Sequence, residues 1–281
     1  MNRKNLIIVR GGGDMATAVV HRLWRAGFFV LVLECARPSA IRRKVAISEA
    51  VYEGRAEVEG MTAVRIEKAG DMHAAWERGF VPVLVDPHGD SIYALSPEVV
   101  VDAMIAKRNL GTHKTMAPLT IALGPGFCAG EDVHAVVETM RGHNLGRIIT
   151  RGCAAPNTGV PGNIGGYAAE RVIHAPAAGV LTGVRRIGDY VRQGETIAVI
   201  RGEKEECPVP ASITGIIRGL IRDGFAVTEG FKIADIDPRR EEYENCFTIS
   251  DKARCISGSV LELVCGHIMK KAEEAAHTRG V

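Results

Sequence analysis

The segment LIIVRGGGDMATAVVHRLWRAGFFVLVLE, Leu6 to Glu34, carries the residue types and spacing that could grip a diphosphate. Gly11, Gly13 and Ala16 fit the G-x-G-x-x-G/A pattern. There the first glycine makes a tight turn, the second admits a pyrophosphate to the backbone, and the small third residue lets helix and strand pack closely. Backbone amides from Gly12 onward would face the phosphates, aided by the helix dipole. Glu34 stands 21 residues beyond Gly13, about where a carboxylate meets a ribose hydroxyl. Asp14 is off-pattern, because it would repel a pyrophosphate unless it turns away or caps the helix. Arg10, Arg37, Arg42 and Arg43 could offset that charge, and they leave NAD and NADP both open. A tight turn that binds nothing is the plain alternative.

These residues need a strand, a turn and a helix to position them. Leu6–Val9 is an apolar run suited to a strand buried on both faces. Ala16, Val19, Val20, Leu23 and Trp24 recur at helical spacing, Gly27 ends that helix, and Phe28–Leu33 makes the next strand. Beyond it the spacing predicts a helix over 39–51, a strand over Thr62–Ile66, a helix over Asp71–Arg78 and a strand over Val81–Val85. Val99–Met104 reads as a strand or a helix start, Leu119–Leu123 as a strand, Glu131–Met140 as a helix and Arg147–Thr150 as a last short strand. Such alternation implies a Rossmann-like doubly wound parallel sheet, with ligands at the carboxyl ends of its strands. Two further loops belong at that edge: GPGFCAGED at 124–132 and TRGCAAPNTGVPGNIGG at 150–166. Gly124 and Gly126 in the first, and Asn157 and Gly159 in the second, complete the candidate cofactor-binding set.

Other reactive residues carry weaker signals. Cys153, beside Arg151 in a glycine-rich loop, is the thiol most open to activation, with Cys128 second. Both are more simply read as structural cysteines, and no partner base for either can be named. His134 and Glu138, four apart on the expected helix, could share a metal, though a solvated pair is the simpler reading. No metal site is expected.

At residue 171 the pattern changes. Gly179, Gly188 and Gly194 are matched by Gly215, Gly224 and Gly230, an offset of 36. A duplication of short strands with positioned glycines predicts a small symmetric β-sandwich. The unit resembles the biotinyl/lipoyl domains and their barrel-sandwich hybrid relatives. Lys204 falls about where their carrier lysine lies, but Glu203 and Glu205 flank it and a solvated loop lysine is expected. The domains are therefore 1–168, 169–238 and 239–281, the last with a helix over Ser257–Ala276 packing back.

Composition narrows the partners. The net charge of +2 and the 5% aromatic content do not suit a nucleic-acid surface. No stretch approaches the roughly 18 apolar residues of a membrane span. MNRKN leads straight into the first strand, and the seven scattered cysteines suit reduced thiols, so a cytoplasmic location is expected. A homo-oligomer is compatible with all of this.

The ordered set RGGGDMATAVVHRL, RPSAIRRKVAISEAVYEG, LGPGFCAGEDVHAVVETMRGHNLGR, APNTGVPGNIGG, KIADIDPR and TISDKARCISG resembles the selenium-dependent molybdenum hydroxylase system protein family, YqeB-like. The Rossmann part of that family is related to the XdhC/CoxI accessory proteins. The resemblance implies a maturation factor that handles a molybdopterin-type cofactor for an apo molybdenum hydroxylase. It carries over no catalytic residue. The alternatives are an NAD(P)-dependent oxidoreductase, for which no acid/base constellation is evident, and a non-catalytic protein adaptor.

Overall fold

The computed structural model describes residues 5–159, 162–203 and 205–279, with the side chains of 278 and 279 excepted. The chain divides into two compact units. The first comprises the chain through Pro38, Ile47–Asn157 and Ile249 onward; the second comprises Ser39–Ala46 and Thr158–Thr248.

The first unit is mixed α/β. Its elements are β1 (Ile7–Arg10), α1 (Asp14–Arg25), β2 (Val30–Glu34), α2 (Ala50–Glu53), β3 (Arg55–Val58), β4 (Met61–Ile66), α3 (Met72–Glu77), β5 (Val81–Val85) and α4 (Asp90–Leu95). They continue through β6 (Val99–Asp102), β7 (Leu119–Leu123), β8 (Cys128–Ala129), β9 (Ala135–Val137), β10 (Ile148–Ile149) and β11 (Gly152–Cys153); α5 (Asp251–Arg279) closes the unit. Nine strands form one sheet in the order β10-β9-β7-β6-β1-β2-β5-β4-β3. Neighbours are parallel except in the β3–β4 hairpin and the β9–β10 edge. Ile7, Ile8, Val9, Leu31, Val32, Val83, Val100 and Ile121 are buried, as strands covered on both faces require. The strand order reverses at β1, which lies between β2 and β6. Such a reversal opens a crevice outside the carboxyl ends. Helix α5 lies along α1. Its buried face, Ala253, Ile256, Val260 and Val264, follows helical spacing. A bidentate Arg254–Glu59 pair at 2.7 and 2.9 Å and the Ile249 amide on the same carboxylate hold its start.

Two expected helices are absent. Residues 39–51 fold as two tight turns, Arg43–Val45 and Ile47–Glu49, before the short α2. The backbone of Ile41 accepts from Leu220, Arg42 donates to the carbonyls of Asn245 and Thr248, and Arg43 to that of Leu220. Residues 39–46 belong to the second unit and take their shape from it, against their own helical periodicity. The apolar run inside 131–140 forms β9, parallel to β7, because Val136 and Val137 are both buried and extend the sheet. An apolar run of that length fits a buried strand as well as a helix.

The second unit consists of β12 (Val172–His174), β13 (Gly179–Gly183), β14 (Tyr190–Val191), β15 (Thr196–Arg201), β16 (Glu206–Pro210), β17 (Gly215–Leu220), β18 (Ala226–Val227) and β19 (Lys232–Asp237). They make two four-stranded sheets, β12-β19-β17-β14 and β16-β15-β13-β18. Shifted by 36 residues, one sheet maps onto the other, so each takes two strands from each half of the repeat. The core repeats as well. Leu181 answers Ile217, Val191 answers Val227, Ile197 answers Ile233 and Ile200 answers Ile236, all buried. Gly179 and Gly215 are equivalent in this symmetry. A Cβ at either would strike the carbonyl of the facing strand, at Arg201 and Asp237 respectively. Lys204 lies outside the described residues.

Candidate functional site

The glycine turn and the acid that closes β2 meet. Parallel register places Leu33 beside Arg10, so Glu34 comes level with the turn. Its Oε2 accepts the Gly12 amide at 2.7 Å and its Oε1 accepts the Cys35 amide at 2.7 Å. Gly11 has φ +99°, donates to the Leu33 carbonyl, and a Cβ there would come within 3.1 Å of the Met104 backbone. Gly12 backs onto Ser48, whose amide donates to the Gly12 carbonyl at 2.9 Å. Gly13 differs from both. A Cβ on it would meet nothing within 4 Å, so this glycine presents an open backbone at the start of α1. Ala16 is fully buried where helix meets sheet.

Thr17 frames the turn from inside. Its hydroxyl reaches the Gly13 carbonyl at 2.8 Å and the Gly12 carbonyl at 3.2 Å, and accepts the Ile47 amide at 3.0 Å. Neither Thr17 nor Ser48 belongs to the sequence motif. A threonine at the first helical turn is a weak sign of such back-bonding.

Arg10 is 2% exposed, its guanidinium bonded to Thr112 Oγ1 at 2.5 Å and the Pro87 carbonyl at 3.2 Å. Beside it, Asp102 accepts Thr112 Oγ1 at 2.6 Å and the Met104 amide. Burial pushes the Asp102 carboxyl up, against the pull of Thr112, Arg10 and Met104. Arg10 thus belongs to the sheet interior rather than its rim. Cys35 is pushed up to about 11 by burial, then by the Glu34 charge and hydrogen bond, which keeps the thiol protonated.

The second glycine turn is filled by protein. A Cβ at Gly124 would collide with Thr139, and one at Gly126 would lie 2.6 Å from the backbone of Arg108. The loop that fills it comes after β6 and holds Ile105 at φ +54° and Lys107 at φ +61°. Positive φ at a β-branched residue stores strain of the kind that gathers at functional edges. The sequence offers no sign of it. Asn157 is exposed at the last residue of the first unit's middle segment, and Gly159 is exposed in the second unit.

Two expectations are corrected. Cys153 is not a free thiol: it forms a disulfide with Cys128, directly opposite it across the β8–β11 ladder. Because β9 is a strand, His134 and Glu138 share no helical face. The His134 ring instead takes the Thr120 amide at 3.0 Å, and burial, then Lys114 and His267, lower its pKa. Glu138 accepts the amides of Thr139, Met140 and Ala155. Among the described residues no group of three potential ligands could hold a metal. Nor, among them, is any helix long and apolar enough to cross a membrane.

At the opposite edge of the sheet, before β6 and β7, lies a cavity of about 470 Å³ bounded by Tyr93, Ser96, Glu98, Thr115 and Pro118. Its carboxylate, Glu98, is engaged by His267 at 2.7 Å and by Lys271, both on α5.

Comparison with known proteins bears on the two units differently. The second unit is biotin/lipoyl-like. The family described as a biotin-requiring enzyme matches residues 171–236, nearly the whole duplicated stretch. Over 258 residues the chain is 53% identical to the Escherichia coli (strain K12) protein described as "Uncharacterized protein YqeB". That alignment takes in 92% of this chain and 47% of the relative, so the chain spans about half the relative's length. Similar solved structures include the ectoine utilization protein EutE (DoeB) of Ruegeria pomeroyi, at 8% identity, 83% of this chain, 86% of that one and a TM-score of 0.27. A succinylglutamate desuccinylase of Silicibacter gives 11%, 83%, 84% and 0.26. An aspartoacylase family protein of Mesorhizobium loti gives 10%, 83%, 84% and 0.27. At these scores the likenesses fix neither fold nor activity for this chain.

The expectation of an XdhC-related factor maturing a molybdenum hydroxylase is corrected. The curated relative carries the YqeB name without any described activity, and the family model that matches the second unit is that of a biotin-requiring enzyme. Neither finding brings molybdenum, selenium or an XdhC-like protein to this chain.

Proposed function

We propose that the first unit binds a nucleotide-type small molecule with a diphosphate bridge, at a Rossmann-like site formed by the glycine turn and the end of β2. The observation that carries this is the meeting of Glu34 with the Gly12 amide at 2.7 Å, beside a Gly13 whose outer face is open. A ribose hydroxyl has an acceptor in Glu34. A phosphate has the open backbone at Gly13 and the positive end of the α1 dipole, the Met15 amide being taken by Asp14 Oδ1 at 2.9 Å. Gly11 and Ala16 shape this arrangement without touching the ligand. Gly126 supports the rim by admitting the 103–108 loop, whose Lys107 and Arg108 are exposed, and Gly124 by admitting the Thr139 side chain.

Calorimetric titration with NADH, NADPH and ADP tests the reading. Binding of one of them in the micromolar range, lost in Gly13→Asp and weakened in Glu34→Ala, is expected. Absence of binding by all three, or equal affinity in Gly13→Asp, would remove the turn from any nucleotide site.

A further inference from the structure

We propose that Cys128–Cys153 is a thiol-exchangeable disulfide, and that opening it releases the strap 151–157 from the carboxyl edge of the sheet. The two cysteines face each other with Cα atoms 3.9 Å apart on a ladder of only two rungs, Gly152↔Ala129 and Cys153↔Cys128. This ladder is separate from the nine-stranded sheet, and among the described residues no third strand supports it. Both residues of β11 are exposed, and Cys128 is half-buried. An incoming thiolate therefore reaches the Cys153 sulfur more readily.

The exchange balances. A low-molecular-mass thiolate attacks Cys153 Sγ, the S–S bond breaks, and Cys128 leaves as a thiolate that takes up a proton. A second external thiolate attacks the mixed disulfide at its own sulfur and expels the Cys153 thiolate, which is protonated in turn. Two external thiols become one disulfide, and the protein disulfide becomes two thiols.

The ends of the bridge differ in what holds them afterwards. Cys128 stays fixed: its amide donates to Asp132 Oδ2 at 2.8 Å, and its carbonyl receives the amides of Glu131, Asp132 and Val133. On the strap, the anchors beyond the ladder are the Ala155 amide on Glu138 Oε2 at 2.8 Å and Ala154, buried in a cluster with Phe127, Val133 and Val136. Reduction thus leaves one side in place and frees the other, together with Arg151 and Asn157. Of the five other cysteines, Cys246 is buried and Cys35 is held protonated, so neither is placed to compete in the exchange.

The test uses the full chain purified without reductant. Titration in denaturant is expected to find five free thiols before dithiothreitol and seven after, with peptide mapping assigning the difference to Cys128 and Cys153. The native protein in millimolar glutathione should lose the same bridge. Amide exchange over 152–155 should then rise at least about tenfold, as expected for local opening. Cys153→Ser should match the reduced wild type, and chemical reduction of the wild type answers the question should that variant fold poorly. Seven thiols before reduction, a bridge that glutathione leaves intact in the native protein, or unchanged amide exchange after reduction would each overturn the proposal.

Discussion

The turns at 11–13 and 124–126 both come after a buried strand and both carry a Gly-x-Gly, yet they are put to opposite uses. At the first, Gly13 faces open space and opens a helix of 12 residues. At the second, a Cβ on Gly126 would lie 2.6 Å from the Arg108 backbone, and the turn leads into the disulfide-closed ladder. Glycine permits close approach but does not say what approaches. The difference lies in the residues downstream of each turn. MATAVVHRLW sustains helical spacing long enough to make a helix, whereas the run VHAVV is short enough to join the sheet.

Exchanging glycine for alanine tests this contrast most severely at residue 126. Gly126→Ala combines φ +100° with a collision against Arg108 and should cost about 3 kcal/mol or more in denaturant unfolding. A loss below about 1 kcal/mol would mean that the loop gives way easily. Next in size, Thr17→Val strips the frame from the first turn, leaving the buried Ile47 amide unpaired, and should destabilise by about 1–3 kcal/mol. If thermal unfolding is unaltered, the turn holds its shape without that hydroxyl.

A third turn at the same edge is closed by a carboxylate, and it sharpens the contrast through pH. Burial by itself would raise the pKa of Asp86, but the Ser91 hydroxyl and the amides of Ser91, Asp90 and Gly89 outweigh it and hold the group below its usual value. A lowered folded-state pKa gives stability that is present above the ordinary value near about 3.9 and is lost as pH falls through the folded value. Asp86→Asn should cost about 1 kcal/mol at neutral pH, with the gap to wild type closing in acid. A gap that is constant across pH would show that charge plays no part. The smallest effect on stability belongs to Gly13→Ala. At φ −66° alanine fits without strain, so unfolding should move by no more than about 0.5 kcal/mol. If the proposed nucleotide site is right, affinity should nevertheless fall at least about tenfold, or about 1.4 kcal/mol, because the new methyl would stand in the way of the phosphate.

Local periodicity specifies much of the fold. β1, α1, β2, β5 and β7 are legible as runs of apolar residues at the right spacing, and the offset of 36 marks the duplicated unit in the sequence itself. Legibility ends where a distant part of the chain overrides local preference. Residues 39–46 take their shape from carbonyls more than 170 residues away. The Cys128–Cys153 bridge spans 25 residues with no motif to announce it. Arg10 resembles a phosphate ligand in sequence because a strand-end side chain carries no sign that it turns inward toward Thr112. The strained Ile105 has no sequence mark at all, since strain is by definition what the local residue would not choose.

The return of α5 to the first unit has a consequence for synthesis. Val260 and Val264 cover their unit only after the entire duplicated sandwich has emerged from the ribosome. The sandwich has nearly all of its own chain by then and can close first, while the large sheet waits with α1 uncovered. While residues from 251 on are still inside the ribosome, the chain therefore carries a finished biotin/lipoyl-like unit attached to an unfinished one, with an apolar stripe open to chaperones or to neighbouring nascent chains.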